Sequence, residues 1–366
     1  MLRIQLSAEQ ALRDEAGRLL AVGDVPLALR KLQEALRYAP GDPQTLEMVV
    51  TALLQAEQPE EALRVATDAR AVDPRNPALT LLHGRALQEL AIENGLETLC
   101  NNRWSAQDAA DKAKLVEFLQ QAAPSTADPA HLPNFLCIGA HKAGTHWVWA
   151  NLRQHPGAYL YRSKEIHFFD KDYWRRLAVY AQYFRHHATR CKGEATPKYA
   201  LLPDERIAFI AQHMPRLKLV FMMRNPMERA WSSLKMDLFR NQKLDPATTT
   251  QQQMLAYLDA DHVTRRSDYH ACILRWRRHY PQQQFFLGFM EDMKRQPEEL
   301  FGRLLRFLEL PQPASYEGYP LRQKHYEGAQ LPMPPAIRQH LKEKYRPMIV
   351  RLAETAGDRV LRWLED

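Results

Sequence analysis

Two hydrophobic patterns divide this chain. Up to about residue 121, Ala and Leu recur at helix-packing positions, and short polar or proline-marked turns separate the stretches. Residues 122–133, AAPSTADPAHLP, lose that pattern and read as a Pro/Ala/Ser-rich linker. Beyond them come short apolar runs, each followed by a helical stretch. FLCIGA (135–140), LKLVFMM (217–223) and the run at 284–289 predict strands, the first buried and parallel. WVWANLRQ predicts a helix stopped at Pro156, Pro226 suits a helix's first turn, and PEELFGRLLRFLEL predicts another helix. Residues 237–268 are rich in Gln, Thr and Asp with little periodicity and predict a mobile segment of functional rather than structural use. Ile337–Leu364 predicts structural helices.

The first pattern repeats. A shift of 34 residues places Ala28-Leu29 on Ala62-Leu63, Pro40 on Pro74, and Asp42-Pro43 on Asn76-Pro77. Each unit reads as helix, turn, helix and exit, and over residues 7–77 this resembles the tetratricopeptide repeat. A third, degenerate unit runs to about residue 121, broken at Gly95 and around Trp104. Such helix pairs bury their apolar faces only by stacking on neighbours. Residues 1–121 are therefore expected to be a tetratricopeptide-like helical domain. It either docks a protein, an acceptor or a second copy of the chain, or simply stabilises the C-terminal two-thirds.

Charge separates the same two halves. Residues 1–130 carry 13 Lys and Arg against 19 Asp and Glu, while residues 131–366 carry 37 against 24. The basic half is expected to handle an anion. Nucleic acid is a poor candidate, because the cations belong to motifs and are not interleaved with aromatics along a surface. No apolar stretch is long enough to span a membrane, and the N-terminus is charged where a signal peptide needs an apolar run. With four scattered cysteines, this predicts a cytoplasmic protein with reduced thiols.

The chemistry begins after the first predicted strand, at His141-Lys142-Ala143-Gly144-Thr145-His146-Trp147. A strand, a small-residue loop and a helix aim backbone N–H groups and a positive helix end at a phosphate. Gly139 and Gly144 have the spacing of a nucleoside-triphosphate loop, but Thr145 stands where that motif requires lysine. A P-loop kinase is thereby disfavoured. The segment instead resembles the Lys-x-Gly-Thr-Thr-Trp loop of the sulfotransferases that use 3′-phosphoadenosine 5′-phosphosulfate (PAPS). That resemblance implies that Lys142 stabilises the departing phosphate, that residues 143–146 cradle the 5′-phosphate, and that Trp147 stacks near adenine. His146 replaces the family's second Thr.

Three further segments extend the resemblance over residues 134–364. Arg224-Asn225-Pro226 with Ser232 resembles the family's 3′-phosphate motif, which implies an Arg224 fork and a Ser232 hydroxyl on that group. Lys164-Glu165-Ile166-His167-Phe168-Phe169 resembles the segment of heparan-type carbohydrate sulfotransferases that holds the general base. Glu165 is the first choice of base, expected to have a raised pKa beside Phe168 and Phe169, and His167 the second. Gly193-Glu194-Ala195-Thr196-Pro197-Lys198-Tyr199 resembles a third family segment, with Ala195 where a lysine is frequent. A cation for the sulfuryl group or acceptor must then come from elsewhere, and Lys164 and Lys198 are candidates. Lys324 lies where related enzymes close a basic loop over the nucleotide.

The resemblance implies an α/β sulfotransferase fold over residues 134–366, a P-loop-like parallel sheet flanked by helices. It implies in-line transfer from PAPS to the hydroxyl of a carbohydrate or other hydroxylated metabolite, leaving adenosine 3′,5′-bisphosphate (PAP). The scheme calls for no metal. Two other readings stay open: a peptide or tyrosyl sulfotransferase whose repeats hold its substrate, and a repeat-based interaction protein with an inactive transferase domain.

Overall fold

The computed structural model describes residues 2–56, 58–72, 76–101, 109–172, 176–187, 190–323 and 331–365. The chain forms two compact units. One holds Met1–His131 with Arg175–Thr189, the other Leu132–Trp174 with Arg190–Asp366.

The first unit is built on helices α1 (Leu2–Ala21), α2 (Val25–Tyr38), α3 (Pro43–Gln55), α4 (Pro59–Val72), α5 (Pro77–Asn101) and α6 (Ala109–Ala122). Asp24 and Asp42 cap α2 and α3, Asp42 accepting from the Thr45 amide at 2.7 Å. The Asp-Pro pair at 42–43 thus starts a helix: the carboxylate satisfies an orphan N–H, and the proline needs none. Ala28, Leu32, Val50, Ala62 and Ala66 form a common core. The sequence excursion 177–187 also packs in this unit. Tyr180 and Phe184 are fully buried, and Arg185 pairs with Glu93 at 3.2 Å and with Glu89.

The second unit is built on five parallel strands: β1 (Phe135–Gly139), β2 (Ala158–Leu160), β3 (Cys191–Ala195), β4 (Lys218–Met223) and β5 (Phe285–Phe289). Their order is β2-β3-β1-β4-β5. Central β1 is buried along its whole length, as its unbroken apolar run requires. The chain leaves β1 toward one side of the sheet and later returns to the other. The loops after β1, β3 and β4 therefore converge at the strands' carboxyl ends, where open α/β sheets bind ligands. β3 has no apolar signature because it carries Lys192 and Glu194, 1% and 2% exposed. Gly193 between them is obligatory: a Cβ there would sit 2.4 Å from the Phe135 carbonyl oxygen.

Residues 237–268 depart from the expected irregular segment. They contain helices Gln251–Asp259 and Asp261–Arg265. Thr250 and Gln253 form a capping box, and Met254, Leu258 and Val263 are buried. The helices are too short for their period to stand out among glutamines. All four cysteines are free. Among the described residues no helix is long and apolar enough to cross a membrane.

Candidate active site

The turn after β1 is fixed to β4, with the Ala140 amide donating to Met222 O at 2.7 Å. Gly144 ends the turn at φ 99°, a left-handed conformation in which glycine is at ease, and precedes α7 (Thr145–Leu152). As the cap of α7 it offers no side-chain oxygen, which leaves the first-turn N–H groups free for an anion. Ala143 and Thr145 are buried in this turn.

Lys142 stands at the centre of the turn, its Nζ 3.8 Å from Met236 Sδ. Burial, then the charges of Arg240 and Arg224, push its pKa down to about 8. Its neighbour His141 is pushed down to about 3 by burial and by Arg266 and Arg229, and its Nδ1 is buried without a hydrogen-bond partner. Cations held together at such a cost, beside an unpaired imidazole nitrogen, fit a site completed by a polyanion. Arg224 is itself mostly buried at the start of helix Pro226–Leu234. It reaches Glu228 at 3.5 Å, while its carbonyl accepts from Tyr269 OH at 2.9 Å. Ser232 lies partly exposed near the end of that helix.

Glu165 and His167 occupy a left-handed backbone, at φ 68° and 61°, and Lys142 does so at 66°. Each such residue costs on the order of 1–3 kcal/mol and persists only where its surroundings enforce it. For the loop bearing Glu165 the enforcing group is Glu194. Its carboxylate accepts from Thr196 Oγ1 at 2.6 Å and from Tyr199 OH at 2.9 Å. Those hydroxyls in turn receive the amides of His167 at 3.5 Å and Phe169 at 3.3 Å. Burial beside Glu194 holds the Tyr199 phenol well above its ordinary range.

The side chains of this loop form a relay. His167 Nδ1 lies 2.9 Å from Asp170 Oδ1, and Nε2 lies 3.4 Å from Glu165 Oε2. Lys164 Nζ meets Glu165 Oε1 at 2.5 Å, and Lys198 Nζ meets Asp170 Oδ2 at 3.2 Å. Burial alone would raise the Glu165 carboxyl, but the His167 hydrogen bond and the Lys164 charge prevail and hold it at about 2. The raised pKa expected from the sequence is thus reversed. Phe168 and Phe169 are both buried, and Phe169 packs edge-on to Tyr199. Burial opposes the charged form of His167, yet Asp170 and Glu165 raise its pKa on balance.

The structure thus brings Lys142, Arg224, Lys164, Glu165 and His167 into one electrostatic neighbourhood. Lys198 joins through Asp170, about half exposed. Trp147 is 3% exposed, donates to Leu321 O at 2.8 Å and packs against Phe301. It therefore anchors the chain at 321, and an exposed ring face for adenine is lacking. His146 packs on Trp149. Lys324 lies outside the described residues. Asp170 and Glu194 are groups that sequence reasoning missed, although Glu194 sits inside a quoted motif and Asp170 directly follows another. An Asp three residues after His167, and a carboxylate two residues before a Thr, were the available signals.

Sheet order, turn and cation cluster define an α/β domain built around an anion-handling crevice. Residues 132–319 match the sulfotransferase domain, and the chain belongs to that family. It is 31% identical over 118 residues to the membrane-associated sulfotransferase kil1 of Dictyostelium discoideum, covering 30% of this chain and 25% of that protein. It is 27% identical over 259 residues to human heparan sulfate glucosamine 3-O-sulfotransferase 6, covering 62% of this chain and 72% of that protein. A solved sulfotransferase from Alicyclobacillus acidocaldarius, 22% identical, shares the fold with a TM-score of 0.50 over 63% of this chain and 98% of its own.

Proposed function

We propose that this protein transfers the sulfuryl group of PAPS to a hydroxyl of a carbohydrate acceptor, releasing PAP. The observation that carries this reading is the meeting of the Lys142 turn, Arg224 and Glu165 at the carboxyl ends of β1, β3 and β4. Cations there stand on two separate strand ends, as a nucleotide phosphorylated at both 5′ and 3′ positions requires. The heparan sulfate relatives and the Lys-Glu-x-His-Phe-Phe segment favour a carbohydrate hydroxyl over a tyrosine.

In this reading Arg224 and Ser232 hold the 3′-phosphate, and residues 143–146 hold the 5′-phosphate. PAPS supplies an activated S–O bond that breaks as the acceptor's O–S bond forms. Lys142 stabilises charge growing on the departing phosphate. Glu165 takes the hydroxyl proton, and His167, fixed by Asp170, orients the carboxylate. A carboxylate at about 2 is ionised but weakly basic. An acceptor that draws Lys164 away from Glu165 would make it a stronger base where it is needed. Lys164 would then be free to meet the sulfuryl oxygens, a task for which Ala195 offers no cation.

Incubation with labelled PAPS and a panel of glycans and tyrosine peptides tests this. Label is expected in a glycan. Label confined to peptides, or thermal stabilisation by ATP and magnesium but not by PAP, would overturn it.

A further inference from the structure

A second cationic feature lies away from the crevice. β5 is the last strand of the sheet, and along it runs a groove of about 590 Å³ lined by Arg277, Arg303 and Arg306 with Gln282, Gln283, Phe285 and Phe286. No acidic side chain lines it among the described residues. Arg277 stacks 5.7 Å from the Phe285 ring centre, and Arg303 5.8 Å from that of Phe286. At these distances each guanidinium is within cation–π reach of a ring, a contact that uses none of its N–H donors. Arg277 Nε is buried without a hydrogen-bond partner, a donor that is costly to leave unmade. The nearest carboxylate to Arg303 is Asp292, at a loose 3.7 Å.

We propose that this groove is a second anion-binding site that takes a sulfated or carboxylated oligosaccharide. Planar guanidinium forks match sulfate and carboxylate oxygens two at a time. The Gln282 and Gln283 amides can serve sugar hydroxyls, and the volume lies within the range of small-molecule sites. A nucleic acid strand would need open aromatic faces for its bases, and here arginines cover Phe285 and Phe286. Arginines also guard an exposed sheet edge against strand pairing, but that task needs only charge and leaves the unpartnered Arg277 Nε unexplained. The choice of a saccharide rests on the proposed carbohydrate acceptor, and the groove would hold an anionic chain away from the reacting hydroxyl.

Calorimetric titration of the full chain with a sulfated hexasaccharide, an uncharged hexasaccharide and inorganic sulfate tests the assignment. The sulfated sugar is expected to bind best, more weakly as salt rises. R303Q/R306Q, at exposed positions, is expected to weaken it by about tenfold or more with PAP affinity unchanged. R277K, which keeps the charge and loses the fork, is expected to weaken it at an unchanged thermal midpoint. Equal binding by the uncharged sugar or by inorganic sulfate overturns the proposal. So does full affinity in R303Q/R306Q alongside loss in K164A, which would place the sugar in the crevice. Loss of the transferase reading would show as absent label transfer with groove binding intact. Loss of the groove would show as transfer intact with R303Q/R306Q binding normally.

Discussion

Asp170 holds Nδ1 of His167 at 2.9 Å, so the opposite ring nitrogen is the one that meets Glu165. Replacing Asp170 by Asn removes the charge that favours imidazolium and frees the ring to turn. D170N is expected to lower kcat by about a hundredfold, the scale of a misplaced general acid–base group, with PAP affinity unchanged. Steady-state rates beside PAP titration check this. Unchanged kcat would reduce Asp170 to a surface partner of Lys198.

The pH profile separates the two candidate bases. Glu165, held at about 2, stays ionised far below its ordinary 4.5. With Glu165 as base, kcat/KM in the free enzyme should hold its plateau down to about pH 4. His167 has a pKa above its ordinary 6.5, so as base it would lose activity as pH falls through the range above that value. An acid limb there would transfer the role to the imidazole. E165Q should reduce kcat by about a hundredfold or more without weakening PAP.

Nucleotide binding should take up a proton at mildly alkaline pH. Burial and the neighbouring arginines push Lys142 down to about 8, against an ordinary 10.5. Between those values the unfolded chain binds the proton and the fold by itself does not, so the stability of the protein alone rises with pH across that window. A bound phosphate restores the charge on Lys142. Calorimetry at pH 9 in buffers of different ionisation enthalpy should show uptake approaching one proton, abolished in K142M. Equal heats in all buffers would contradict the assigned environment of Lys142.

Glu194 supports the loop through the Thr196 and Tyr199 hydroxyls. E194A strips the Thr196 and Tyr199 hydroxyls of their acceptor inside the unit. A loss of about 3 kcal/mol is expected, from hydrogen bonds to a charged group and stranded donors. Denaturant unfolding measures it. A change below about 0.5 kcal/mol would show that the loop holds its left-handed residues by other means.

The helical unit should not be removable. Tyr180 and Phe184 are fully buried in it, although they lie in sequence between β2 and β3. A chain beginning at residue 132 exposes them and is expected to aggregate. A monomeric truncation with the full-length thermal midpoint would contradict this.

Much of this was legible in the sequence. The runs at 135–140, 217–223 and 284–289 became β1, β4 and β5 within a residue at each end, because buried parallel strands need unbroken apolar stretches. β3 escaped notice because its buried Lys192 and Glu194 break the apolar run that marks β1, β4 and β5. The candidate site was legible as motifs but not as electrostatics. Nothing in Lys164-Glu165-Ile166-His167 tells whether the imidazole and the lysine turn toward the carboxylate, and those two contacts send the Glu165 pKa down where burial would send it up.

If Lys142 and Arg224 serve opposite ends of one nucleotide, a crystal structure with PAP will show both contacts. The 5′-phosphate should lie against the amides of 143–146 and Lys142, with the 3′-phosphate against Arg224 and Ser232. A nucleotide bound elsewhere, or one leaving Arg224 without a phosphate, would contradict it.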